Sequence, residues 1–202
     1  MRKTPQEFKR VAVREVIEKV LGDTKTSLTP ASISVSELAS SCYTATKFSF
    51  EITGHKQEEV EITEEKGRGF VDNLFTGLHG FFSCDFNSLQ RIKLRDLKVN
   101  PLIGSAKSRI GSDAPISVIF SLHVAKNGIA EFQHKSNSII NSSFVAILKA
   151  FEFYINCERA FDKIQIIVAD AKRRNRGDIV SQSMYDLSKI TEVNTYEREK
   201  RS

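Results

Sequence analysis

Apolar positions along the chain change period several times, and each change marks an element. Phe8, Val11, Val16, Ile17 and Val20 recur at helical spacing, which predicts an amphipathic helix over residues 5–21. Thr4, Pro5 and Glu7 supply an N-cap, a first-turn proline and a capping-box acid. The next stretch, LGDTKTSLTPASIS, is rich in Ser, Thr, Gly and Pro and reads as a linker. Alternation follows in ISVSEL, in KFSFEIT with Phe48, Phe50 and Ile52, and in EEVEIT with Val60 and Ile62; all three read as strands. A turn around Gly54-His55 joins the last two. The carboxylates of QEEVEITEEK then fall on a solvent face and have no catalytic role. Helical spacing returns over residues 69–82.

The same order then recurs. RIKLRDLKV puts Ile92 and Leu94 on one face and Leu97 and Val99 after a shift. APISVIFSLHVA and GIAEFQHKS are joined around Asn127-Gly128, a strong hairpin signal. IINSSFVAILKAFEFYI, residues 139–155, is the second helix. Two β-β-β-α units about 70 residues apart predict an α+β fold, a tandem with pseudo-two-fold symmetry. Aligning the two helix starts sets Asn141 opposite Asp72 and Phe144 opposite Phe75. Residues 1–30 form an N-terminal helix and linker, residues 31–158 the paired units, and residues 159–202 a C-terminal helix and tail. In that last part Phe161, Ile164, Ile167 and Val168 keep helical spacing up to a cap at Gly177, while Ile179, Val180, Met184, Leu187 and Ile190 suit a strand or a docking helix.

A three-stranded sheet with one helix on it leaves a second face or edge open. The helical stripes are also wide: Phe70, Val71, Leu74, Phe75, Leu78, Phe81 and Phe82 in the first unit, and Ile140, Phe144, Ile147, Leu148, Phe151 and Ile155 in the second. Stripes broader than one sheet requires predict a homodimer.

Composition narrows the function classes. The chain has 202 residues, 40% hydrophobic and 27% charged, as expected of one main globular body with appended structure. No apolar run approaches the roughly 18–20 residues of a membrane helix, and MRKTPQEFKR is too polar for a secretory leader; a cytoplasmic chain without a membrane partner is expected. Cys42, Cys84 and Cys157 are odd in number and dispersed, against both a disulfide framework and a metal knuckle. The net charge of +5 is densest in AKRRNRG. Cations there suit a helix C-terminus, and no nucleic-acid motif accompanies them, so nucleic acid is not the expected partner. His55, His79, His123 and His134 lack ligand spacing, and neither a nucleophile elbow nor a P-loop is present. No catalytic residue, metal or cofactor is expected.

One stretch carries candidate chemistry. In EEKGRGFVDNLF, Gly67, Arg68 and Gly69 precede a helix with Phe70, Val71 and Asp72 in its first turn. Free N–H groups of a helix start suit a carboxylate, and Asp72 suits an ammonium, which together fit an amino acid better than a phosphate. The same residues also suit a tight turn with an acid favouring the helix dipole.

The succession GRGFVDNLFTGL, RIKLRDLKVNPLIG, GSDAPISVIFSLHVAKNG and SNSIINSSFVAILKAFEFYIN resembles the C-terminal allosteric (dimerisation) domain of 2-isopropylmalate synthase over residues 31–158. The resemblance implies a dimeric tandem β-β-β-α fold that, in the synthases, binds leucine, the product of the leucine biosynthesis pathway. Gly67, Gly69 and Asp72 match the family's first helix start. Asp96 and Val99 match its next strand, Gly111, Asp113 and Ala114 the step that follows, and Ser142 and Ser143 the second helix start. Four places depart: Phe70 stands for Pro, Leu97 for an aromatic, His134-Lys135 for Gly-x-Gly, and Asn141 for Asp.

Two functions follow as expectations. One is a stand-alone regulatory domain that binds leucine or a related small effector at Gly67, Arg68, Gly69, Phe70, Val71, Asp72, Leu97 and Asn141 and acts on a partner. The other is a structural or interaction module that has lost the effector. A catalytic barrel of about 250 residues has no room in the chain, so any synthase (acyltransferase) chemistry is expected from a separate catalytic polypeptide.

Overall fold

The computed structural model describes residues 5–38, 43–54, 58–64, 69–101, 115–124 and 128–193. Helix α1 (Pro5–Leu21) leads into strands β1 (Ser27–Leu38), β2 (Tyr43–Thr53) and β3 (Glu58–Glu64) and helix α2 (Phe70–Phe82). Strands β4 (Ile92–Pro101), β5 (Ile116–Val124) and β6 (Gly128–Ser136) follow, then helices α3 (Ile139–Arg173) and α4 (Gly177–Thr191). The strands form two three-stranded antiparallel sheets, ordered β1-β2-β3 and β4-β5-β6. The architecture is therefore the predicted α+β tandem with a helix at each end. Thr4, the expected N-cap of α1, lies outside the described residues.

Alternation fixes the faces of both sheets. In β2, Phe48, Phe50 and Ile52 are buried, and Phe48 and Phe50 pair with Ile62 and Val60 of β3. The opposite face is polar, with Lys47 and Glu61 in an ion pair at 2.9 Å. In β5 the buried set is Val118, Phe120, Leu122 and Val124. A bulge between Leu94 and Asp96 produces the change of face expected in β4, because one extra residue moves the following side chains across the sheet.

Three segments differ from the sequence pattern. Residues 27–30 belong to β1 rather than to a linker: Pro30 sits on an edge strand at a bulge, where a missing N–H removes no ladder bond. Helix α3 is a single 35-residue helix, merging residues 139–155 with the helical pattern that follows. Its exit is made by Asn175 at φ 55° rather than by Gly177, which begins α4; Asn tolerates the left-handed region. The tail resolves as a helix, and Ile190 of α4 is fully buried.

Helix α3 ties the two units together. Asn156 accepts from the Thr26 N–H at 2.8 Å and donates to the Thr26 carbonyl at 2.7 Å. Glu152 accepts from the Leu28 N–H at 2.9 Å. Glu158 accepts from the N–H groups of Asn87 and Ser88, at 3.1 and 3.0 Å, where a short 3-10 turn leads into β4. Side chains of one helix thus satisfy backbone donors of both units, donors that would be costly to bury unpaired. On α1, Val13, Val16 and Ile17 are buried in the same core, and Lys19 reaches Asp186 of α4 at 2.7 Å. Much of the apolar surplus on the two unit helices is covered within the chain. Phe144, Ile147, Leu148, Phe151 and Ile155 are buried, while Phe81 and Ile140 remain 37% exposed.

Candidate functional site at the start of α2

Gly69 is the N-cap of α2, with φ −176° and ψ 164°. That is extended backbone open to any residue. A Cβ built there would meet nothing nearer than Asp72 Oδ2 at 4.0 Å. Neither conformation nor crowding requires glycine, so its effect is to leave the space beside Asp72 bare.

The cap makes no side-chain hydrogen bond. The N–H groups of Phe70, Val71 and Asp72 therefore have no partner within the helix, and the positive end of the helix dipole meets them. The start of α3 is built otherwise: Ser138 Oγ accepts from the Asn141 N–H at 3.2 Å. Of the two corresponding helix starts, α3 is side-chain-capped, and α2 has no side-chain cap among the described residues. Asp72 is exposed, whereas Phe70 and Val71 are half-buried and pack against the core.

The next residue, Asn73, was not anticipated from the sequence. It is fully buried, and its amide nitrogen donates to the Thr44 carbonyl at 2.8 Å and lies 3.2 Å from both Thr46 Oγ1 and the Glu64 carbonyl. These contacts fasten the first turn of α2 to β2 and β3. Among the described residues its buried Oδ1 has no donor.

The other proposed ligand residues are distributed differently. Gly67 and Arg68 lie outside the described residues, as do Gly111, Asp113 and Ala114. Leu97 is half-buried on β4 and pairs with Phe120, whose ring is 6.3 Å from that of Phe75, one turn along α2 from Val71. Asn141 is exposed in the first turn of α3, and no side-chain hydrogen bond among the described residues joins it to α2. Ser142 and Ser143 are buried in local bonding: Ser142 Oγ lies 2.6 Å from Ser136 Oγ, and Ser143 Oγ donates to the Ile139 carbonyl at 2.7 Å. Asp96 and Val99 are exposed on β4. His134 accepts from Lys149 at 3.1 Å, and Lys135 is exposed.

Cys157 is wholly buried, and that burial pushes its thiol pKa up, away from the nucleophilic thiolate. His79 Nε2 lies 3.1 Å from the Leu89 carbonyl, a structural contact. No group of three potential metal ligands occurs among the described residues. No helix among them is long and apolar enough to cross a membrane. The basic run at the end of α3 is partly matched: Arg174 pairs with Asp170 at 3.1 Å and Arg176 with Asp178 at 2.8 Å. In comparisons with known proteins, the chain matches no family model and no curated protein.

Proposed function

We propose that the chain is a non-catalytic regulatory and dimerisation module of the 2-isopropylmalate synthase type, holding a small amino-acid-like effector at the start of α2 and acting on a partner polypeptide. The observation carrying this reading is the open helix start at Gly69, with an exposed carboxylate three residues on. An amino acid is complementary to it: the ligand carboxylate faces the N–H groups of residues 70–72, and its ammonium faces Asp72. The test is thermal unfolding with leucine, isoleucine, valine and their 2-oxo acids. Ligand at 100 times its dissociation constant stabilises the fold by about 2.7 kcal/mol. No shift with any of them would refute the reading.

Phe70 supports a second reading, an interaction module without effector, because its side chain packs on the core where the family has Pro. Phe70 is the first residue of α2, a position suited to proline. Leucine binding by Phe70→Pro but not by the unaltered chain favours this second function; binding by the unaltered chain rejects it. Under either reading the chain is a homodimer, for which Phe81, Ile139 and Ile140 supply exposed apolar surface. Sedimentation equilibrium at micromolar protein tests this, and a well-folded monomer at every concentration contradicts it.

A further inference from the structure

Helix α1, strand β6 and the middle of α3 enclose a cleft of about 600 Å³, a volume typical of small-molecule sites. Its floor is aromatic: Phe132 and Phe153 are 3% and 5% exposed, with ring centroids 5.8 Å apart. Arg10 lies over the Phe132 ring at 4.9 Å and Arg14 over the Phe153 ring at 6.0 Å. The two arginines are one turn apart on α1 and share a face. Stacking on rings fixes guanidinium groups while leaving their in-plane N–H donors available.

The surrounding charges are unevenly used. Glu18 is occupied by Lys25 at 2.5 Å, and Glu152 accepts from the Leu28 backbone at 2.9 Å. Lys149 is spent on His134 at 3.1 Å. Arg10 donates to the Glu131 backbone carbonyl, a neutral acceptor. Burial pulls the Arg10 pKa below its ordinary value, and the like charge of Arg14 adds to that, while Tyr154, Glu7 and Glu131 oppose it. Among the described residues, Arg14 has no hydrogen-bond acceptor and no ion-pair partner. Glu7 and Glu131 also line the cleft and their charges act on Arg10; Arg14, exposed at the mouth, keeps its donors unspent among the described residues.

We propose that this cleft is a second ligand site, for a small organic carboxylate whose apolar body lies against exposed Val11 and the accessible margins of Phe132 and Phe153 and whose carboxylate is held by Arg14 with Arg10. It is separate from the start of α2 and does not depend on the function proposed there. A guanidinium fork matches a carboxylate in two parallel hydrogen bonds. Phosphate offers similar oxygens but nothing for the aromatic floor.

The test is an amide-resolved NMR titration of the full chain with three probes: phenylacetate, neutral phenylacetamide and inorganic phosphate. The expected result is saturable phenylacetate binding, with shifts around residues 10–14, 132 and 153, and at least tenfold weaker binding of phenylacetamide. Arg14→Ala weakens phenylacetate binding at residues 10–14, 132 and 153 at least tenfold, and Arg14→Lys gives an intermediate loss. Absence of saturable phenylacetate shifts, equal binding of phenylacetamide, or binding of phosphate alone would each overturn the proposal. The probe comparison uses the unaltered protein, so it is decisive even if a variant folds poorly.

Discussion

Replacing Asn156 by Ala removes both hydrogen bonds between α3 and Thr26. Thr26 is 5% exposed and Asn156 4% exposed, so the abandoned N–H and carbonyl are left in a dry position. An unpaired buried polar group costs about 1–3 kcal/mol. Two such groups set an upper range of about 2–6 kcal/mol, and water entering the vacated volume moves the expected loss to about 2–3 kcal/mol. The assay is equilibrium urea unfolding, comparing midpoints at matched slope. Asn156→Asp sharpens the test. It keeps the acceptor for the Thr26 N–H but sets a carboxylate oxygen against the Thr26 carbonyl. Protonation restores a donor there, so this variant regains stability relative to the unaltered chain as pH falls. A loss below about 0.5 kcal/mol for Asn156→Ala, within the range of ordinary surface changes, would refute the argument that α3 binds the two units together through this residue.

Other consequences are equally direct. A Cβ at Gly77 would lie 2.9 Å from both Ile62 Cγ2 and Phe48 Cζ. Gly77→Ala should therefore destabilise by about 1–2 kcal/mol in urea unfolding, the strain of overpacking exceeding the helix-propensity gain of about 1 kcal/mol; a stabilised variant would contradict the close helix–sheet approach. Burial, and secondarily the Lys149 charge, lowers the His134 pKa from 6.5. The folded protein thus binds that proton less readily than the unfolded chain. The corresponding stability is present above about pH 6.5 and is lost as pH falls through the folded pKa. Melting temperatures from pH 8 to 5 should fall more steeply for the unaltered chain than for His134→Asn, and parallel curves would disprove the assignment.

The strands, helix α2 and the first part of α3 were legible because a single physical rule, period against facing, governs them. Phe48, Phe50 and Ile52 alternate without interruption, and even the bulge in β4 showed as a phase shift between Leu94 and Leu97. The LTPAS segment misled because Pro and Ser argue locally for a loop, while pairing with β2 across the sheet decides otherwise. Continuity of α3 was hidden by reading it as two successive helices. In the structure Cys157, Ala160, Phe161 and Ile164 carry its buried face across the join. At the candidate site, Gly69, Asp72 and the helix start were readable from local spacing. Asn73 was not, since its partners are Thr44, Thr46 and Glu64. The α1 cleft was equally invisible: Arg10 and Arg14 look like a solvated helix face until Phe132 and Phe153 are brought beneath them.

The proposed function is tested most directly by calorimetric titration of the unaltered chain and of Asp72→Ala with whichever branched-chain amino acid or 2-oxo acid raises the melting temperature most. If the ligand is an amino acid whose ammonium meets Asp72 at the open start of α2, the unaltered chain binds with one saturable site, and Asp72→Ala binds at least tenfold more weakly, a difference of about 1.4 kcal/mol. Absence of heat with every ligand, or identical affinity for the two proteins, would contradict the proposed effector site.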